Sequence, residues 1–247
     1  MKVTVVGCGD AFGSGGRLQT SFLLETGAQT ALLDCGASTL IGLNRLGVDP
    51  GKIETVFVSH LHGDHFSGLV WLLIQGQHPG RRTAPLTLVG PEGLEERLHQ
   101  ASEVLFPGSM ARDLRFPVCY ETFAAGDTKM VGDVKLTAFE GMHPSGALSA
   151  ALRLEAAGKT LAFSGDTEWV DDLIPCADGA DALICECYAT APGIRYHLDW
   201  ETLVANADHL TASHIYLCHM NPDMLAARAT LSHPRFSFLS DGQIINL

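Results

Sequence analysis

Four metal-type side chains occupy six consecutive positions of this chain, in the string Ser59-His60-Leu61-His62-Gly63-Asp64-His65. Imidazole nitrogens and carboxylate oxygens are the donors that borderline and hard divalent cations take up. The apolar run Thr55-Val56-Phe57-Val58 leads into the string and a helical pattern from Phe66 to Ile74 leaves it, so the cluster falls where a buried strand turns into a helix. His60 and His62, two apart in extended backbone, point the same way, while Asp64 and His65 open the helix and face a neighbouring point. Without a cation, three imidazoles and a carboxylate crowded behind an apolar strand would cost stability through desolvation and mutual repulsion. Four donors from one segment are more than one ion needs. The arrangement predicts two metal sites side by side, completed from later in the chain, with His143, Asp166 and His219 as the downstream donors. His78, His99, His209, His214 and His233 stand apart from any such string and read as ordinary surface or core histidines.

The elements that must hold these residues follow from hydrophobic periodicity. Strands are expected at Val3 to Val6, Ser21 to Glu25, Thr30 to Leu33 and Thr55 to Val58, with a helix around Ser38 to Leu46 and another from Asp64 to Ile74. Strand Leu86 to Val89 comes next, and Pro91-Glu92-Gly93-Leu94 starts a helix that fades near Leu105. Pro107, Gly108 and Pro117 break up Phe106 to Phe116, a stretch that reads either as a lid over substrate or as an inert connection. Strands resume at Val118 to Phe123, Lys129 to Val131, Val134 to Phe139, Leu148 to Leu154 and Thr160 to Phe163. The last third alternates: strand Ala182 to Cys187, helix Trp200 to His209, strand Ile215 to Cys218, helix Asp223 to Thr230, and a final strand pair about the Asp241-Gly242 turn. Two strand-rich halves, each ending in helices, predict an α/β chain in one domain, 1–247, with two sheets face to face and helices outside. No internal sequence repeat is strong enough to prove a duplication.

Composition narrows the function. A chain of 247 residues, 46% hydrophobic, can bury a full core. No stretch of 18 or more apolar residues appears and the first residues read as a strand rather than a signal peptide, so a soluble cytoplasmic protein is expected. The seven cysteines are scattered and include no Cys-x-x-Cys pair, which predicts buried reduced thiols rather than a disulfide framework or zinc finger. A net charge of −12 argues against strong nucleic-acid binding, which needs clustered Lys and Arg. Arg81-Arg82 and Arg112 with Arg115 are the only candidate basic patches.

One motif points elsewhere. Gly7-Cys8-Gly9-Asp10-Ala11-Phe12-Gly13 follows an apolar strand as a dinucleotide-binding loop does, which makes a dehydrogenase a rival. That fingerprint needs a helix directly after the glycines, and here Gly13-Ser14-Gly15-Gly16 prolongs the loop until the strand at Ser21. Asp34, the residue a ribose would need, ends a strand instead.

The combination of His60-Leu61-His62-Gly63-Asp64-His65, a later His143, Ser164-Gly165-Asp166-Thr167 at a strand end and Leu217-Cys218-His219 resembles the metallo-β-lactamase superfamily. It is most similar to the phosphodiesterase branch that includes the Z-type ribonucleases and the cyclic-phosphate phosphodiesterases, from Leu32-Leu33-Asp34-Cys35-Gly36 to the C-terminal Asp241-Gly242. The resemblance implies an αββα sandwich with two divalent ions at one edge, zinc or else manganese or iron. Carried over, His60, His62 and His143 would hold one ion, Asp64, His65 and His219 the other, and Asp166 both, leaving room for a bridging hydroxide. Asp34 would orient a ligand histidine or else merely cap its strand. Glu186 is either a supporting acid or an outward-facing residue.

His197, in Arg195-Tyr196-His197-Leu198-Asp199, matches the position where these phosphodiesterases carry a histidine near the leaving group. The expected catalytic residues are therefore Asp64, Asp166 and His197, acting on a small phosphodiester, cyclic or open. The alternatives are a lactonase or thioesterase using the same ions, a tRNA 3′-processing endonuclease, and a non-enzymatic metal-binding module. The long basic arm with which Z-type ribonucleases grip tRNA has no counterpart here, which disfavours the endonuclease. A homodimer is the candidate assembly, and no membrane partner is expected.

Overall fold

Strands covered on both faces need no polar alternation, and Leu32-Leu33, Val56-Phe57-Val58 and Leu183-Ile184-Cys185 are apolar runs that are buried throughout. The computed structural model describes residues 1–109 and 114–247. The first sheet takes β1 (Lys2–Gly7), β2 (Ser21–Glu25), β3 (Thr30–Leu33), β4 (Thr55–Phe57), β5 (Leu86–Pro91) and β6 (Val118–Phe123). The second takes β7 (Thr128–Val131), β8 (Val134–Glu140), β9 (Ala150–Ala156), β10 (Lys159–Phe163), β11 (Ala182–Glu186), β12 (Ile215–Cys218) and β13 (Phe236–Phe238), and β14 (Ile244–Asn246) returns to the first. Helices α1 (Thr39–Arg45), α2 (Gly63–Phe66), α3 (Gly68–Gln77) and α4 (Leu94–Leu105) belong to the first half; α5 (Leu173–Ala177), α6 (Trp200–Ala205) and α7 (Pro222–Ala227) belong to the second.

The strand orders are β14-β1-β2-β3-β4-β5-β6 and β13-β12-β11-β10-β9-β8-β7. Each sheet begins antiparallel and turns parallel, at β3/β4 in one and at β10/β11 in the other. The two halves therefore share one topology although their sequences show no repeat. Three apolar clusters fill the spaces between four layers. Phe22, Leu24, Leu33, Phe57, Leu152, Leu154 and Phe163 lie between the sheets, with the Phe22 and Phe163 rings 5.7 Å apart. Leu43, Leu69, Leu73 and Leu98 pack helices on the first sheet, and Leu173, Leu203, Leu217 and Met224 pack them on the second. This is the αββα sandwich the sequence predicts.

Three expectations need correction, and one helix was not expected. The single helix expected over Asp64 to Ile74 is two, because the Gly68 amide leaves the helical ladder to donate to the Cys35 carbonyl at 2.9 Å. The Asp241-Gly242 turn does not close a hairpin: β13 pairs in parallel with β12 and β14 antiparallel with β1, so the turn crosses between sheets, held by Asp241 accepting the Cys8 and Leu18 amides. Arg81-Arg82 is no basic patch, since Arg82 is buried with its guanidinium on the Ala84 and Pro85 carbonyls. Helix α5, short and interrupted by Pro175, had no periodicity to announce it. The proposed lid falls partly on residues 110–113, outside the described residues, as does Arg112; its flanks are packed, Phe106 edge-on to Trp71 and Phe116 buried. Among the described residues no helix is long and apolar enough to cross a membrane.

Candidate metal centre

Parallel strands that end together leave a crevice beyond their carboxyl ends, and here both sheets open onto the same one. β3 delivers Asp34, β4 runs out into Ser59 and His60, β10 into Asp166, β11 ends on Glu186 and β12 is followed by His219. Close packing of these loops depends on absent side chains: a Cβ on Gly165 would stand 2.8 Å from the Ala150 carbonyl and 3.2 Å from the Ser59 Cβ. Backbone conformation is spent here as well. Asp34, Tyr196 and His219 hold positive φ angles of 57°, 67° and 58°, a region non-glycine residues occupy at a cost that clusters at functional sites.

The side chains converge as two main groups, overlapped by a third of His143, Asp166 and His197. His60, His62 and His143 each bring a donor atom within 4.8 Å of the others, and so do Asp64, His65, Asp166 and His219. Asp166 Oδ2 links them, 3.3 Å from His65 Nε2, 3.2 Å from His219 Nε2, and 3.9 Å from both His60 Nε2 and His143 Nε2. His197 lies beside the first group, its ring 4.8 Å from that of His143. All seven predicted donors and His197 are thus in one place.

What touches the other nitrogen of each ring decides how it faces the crevice. His65 Nδ1 meets Asp34 Oδ2 at 2.7 Å, His60 Nδ1 meets Ser59 Oγ at 3.0 Å, His143 Nδ1 meets the Tyr196 carbonyl at 2.8 Å, and His219 Nδ1 meets Thr20 Oγ1 at 3.2 Å. His62 is the exception, presenting Nδ1 to His143 Nε2 at 2.8 Å. Asp34 is therefore a supporting carboxylate. So is Glu186, fully buried, which accepts from the Thr167 amide and meets His197 Nδ1 at 2.8 Å. Ser59, Thr20 and the Tyr196 carbonyl had no signal in the sequence beyond the hydroxyl beside His60. Tyr188 stacks on His197 with centroids 4.5 Å apart.

Electrostatics agree with a cation site. Burial holds His60 well below the usual imidazole range, and it pushes His143 down to about 4 and lowers His219, so all three offer lone pairs. Burial opposes charge on His65 too, but Asp166, Asp64 and Asp34 outweigh it and raise its pKa well above the ordinary value. Asp64 and Asp166 stay ionised: burial opposes it, and His65 with His219 overrides it. Burial and the Asp166 charge push Glu186 up to about 8, and although burial works against a charged His197 its bond to Glu186 raises that pKa as well. The pair retains a proton at neutral pH. The sharpest test of fit is polar satisfaction: His60 Nε2 and His65 Nε2 are buried without a hydrogen-bond partner, an arrangement that costs free energy unless a cation accepts the lone pairs.

The glycine loop after β1 does different work from a nucleotide cradle. Cβ atoms on Gly7 and Gly9 would meet the Leu18 and Gln19 backbone at 2.1 to 2.9 Å, so these glycines let two chain segments pass. Only a 3-10 turn, Ser14–Gly16, follows, not a phosphate-binding helix.

Residues 1–245 match the family described as "Anti-Pycsar protein Apyc1". Ribonuclease BN of Salmonella typhimurium (strain LT2) is 40% identical over 113 residues, 46% of this chain, and the match spans about a third (35%) of the relative's length. The short form of human tRNase Z superposes with a TM-score of 0.80 at 22% identity, covering 100% of this chain and 99% of that one. A diphosphatase of the PhnP family does so at 0.80 and 18%, covering 100% and 97%. Zn(2+)-bound PqqB from Methylobacterium extorquens does so at 0.79 and 19%, covering 100% of both. These neighbours share the metallo-β-lactamase fold.

Proposed function

Because the chain belongs to the anti-Pycsar Apyc1 family and has the metallo-β-lactamase fold, we propose that it is a metal-dependent hydrolase whose substrate is a small phosphodiester, cyclic or open. The observation that carries this reading is Asp166 Oδ2 within 3.9 Å of imidazole nitrogens from both donor groups, with the His197–Glu186 pair alongside. His60, His62 and His143 would hold one divalent ion, Asp64, His65 and His219 a second, and Asp166 would contribute to both. The histidine-rich donor set suits zinc, and one neighbour of the same fold carries Zn(2+). Such ions, when bound, supply an acidified water and neutralise charge on phosphoryl oxygens.

The chain's own residues supply the rest. Asp64 and Asp166, held ionised, provide the carboxylate charge that cations need. His197 turns Nδ1 to Glu186, which leaves Nε2 to deliver a proton to the departing oxygen. Tyr188 stacked on the ring fixes its plane. A thioester, whose thiolate departs without protonation, has no use for that proton, and this favours a phosphodiester over a thioester.

The test is a substrate panel with metal-reconstituted protein: an aryl phosphodiester, a cyclic phosphodiester, a lactone and a thioester, with metal content measured by elemental analysis. Turnover of the diesters by protein carrying close to two ions per chain is expected. Lactone or thioester turnover without diesterase activity would replace this reading with the carbonyl one, and one ion at saturating metal would remove the second site.

A further inference from the structure

A carboxylate can only accept hydrogen bonds when ionised, and a hydroxyl has a single proton to give. Those two facts fix a chain of donors behind the metal centre. Asp34, with no exposure to solvent, accepts from the Ser59 amide at 2.7 Å through Oδ1 and from Ser59 Oγ at 2.8 Å through Oδ2, and the same Oδ2 meets His65 Nδ1 at 2.7 Å. Since the Ser59 hydroxyl spends its proton on Asp34, only its lone pairs remain for His60 Nδ1 at 3.0 Å, so that nitrogen carries hydrogen. His65 Nδ1 must likewise donate to the carboxylate. Both rings are thereby left with Nε2 facing the crevice, and among the described residues these are the two imidazole nitrogens buried without a hydrogen-bond partner.

His60 belongs to one donor group and His65 to the other. We infer that Asp34 serves both metal sites, His65 directly and His60 through Ser59, and that Ser59 is a positioning residue for the first site alone. The Ser59 hydroxyl meets Asp34 and His60, and its Cβ lies 3.2 Å from where a Cβ on Gly165, the residue before Asp166, would stand. The placement of Asp34 at a φ of 57° shows backbone held in a costly conformation to reach this position.

The inference rests on the two-cation reading, and the experiment separates the two. Metal-free protein is titrated with Zn2+ by calorimetry, and bound metal is counted independently. Wild type taking up fewer than two ions would sink the two-cation reading itself. Given two, Ser59→Ala should weaken one ion by roughly 10- to 100-fold, the usual effect of removing an outer hydrogen bond, and leave the other unchanged. Asp34→Asn should weaken both, and Ser59→Thr, which keeps the hydroxyl, should restore the first. In a His219→Ala background, where the first group remains intact, Ser59→Ala should cost the same factor; in a His62→Ala background it should cost nothing. Nitrogen chemical shifts of metal-free protein should show His60 with its proton on Nδ1 in wild type and not in Ser59→Ala. Equal weakening of both ions by Ser59→Ala, or unchanged affinity for both, overturns the inference. If Asp34→Asn fails to fold, the serine series decides it alone.

Discussion

At the residue scale the sharpest contrast is between histidines that surrender a proton and His197, which, like His65, keeps it. Burial lowers His60, His143 and His219, whereas His197 is raised through Glu186. General acid catalysis matters in proportion to the basicity of the leaving oxygen. His197→Ala should therefore retain most activity on an activated aryl diester and lose roughly 10²- to 10⁴-fold on an alkyl or nucleoside diester, with metal content unchanged. The pH dependence has a definite sign. A group with a raised pKa holds its proton through neutrality and loses it as pH climbs through that raised value, so the wild-type rate on the alkyl diester should fall on the alkaline side while the aryl rate stays level. Equal losses on both substrates with normal metal content would remove the leaving-group role, and unchanged rates on both would return His197 to an ordinary loop histidine.

At the scale of elements, the ligand string is placed by close approaches rather than by side-chain contacts. A Cβ on Gly68 would lie 2.1 Å from the Gly36 carbonyl oxygen, and one on Gly36 would lie 2.2 Å from the Asp64 carbonyl oxygen. Gly63, five residues earlier, is exposed, and a Cβ there would find nothing closer than Ser67 Oγ at 3.9 Å. Gly68→Ala should thus cost about 1 to 3 kcal/mol, the usual penalty of overpacking, or more because the obstacle is backbone. It should lower bound metal as α2 is displaced, while Gly63→Ala leaves the thermal midpoint where it is or slightly higher. Thermal melts of metal-free protein with parallel metal analysis check both, and equal midpoints for the two variants would refute the account. The same comparison explains what the sequence could and could not announce. The donor string, the strand ends and the layers were legible, because donor type and apolar runs are local properties. The break at Gly68, the crossing at Asp241 and the roles of Thr20 and Tyr196 depend on partners 33 to 233 residues away: Cys35, Cys8, His219 and His143. Glu186 was ambiguous for a related reason, since an acid in an apolar strand reads the same whether it faces inward to a histidine or outward to water.

At the scale of the whole molecule, charge decides which phosphodiesters can reach the site. Net charge is −12, and much of the arginine is already engaged: Arg17, Arg82, Arg97, Arg153 and Arg235 all donate to backbone carbonyls. A polyphosphate gains affinity by releasing counterions as Lys and Arg neutralise its charges, with log K falling by about 0.7 to 0.9 per contacted phosphate for each unit of log salt. Those five arginines are not free for that exchange, and the net negative charge acts against an approaching anion until salt screens it over about 10 Å at 0.1 M. Raising ionic strength from about 20 to 200 mM should therefore leave kcat/KM for a small anionic diester level or raise it. Precursor tRNA should bind weakly at both strengths and be cut more slowly than the small diester. A steep fall in small-diester kcat/KM with salt would reveal a basic approach surface, and efficient 3′ cleavage of precursor tRNA would make the ribonuclease reading the better one.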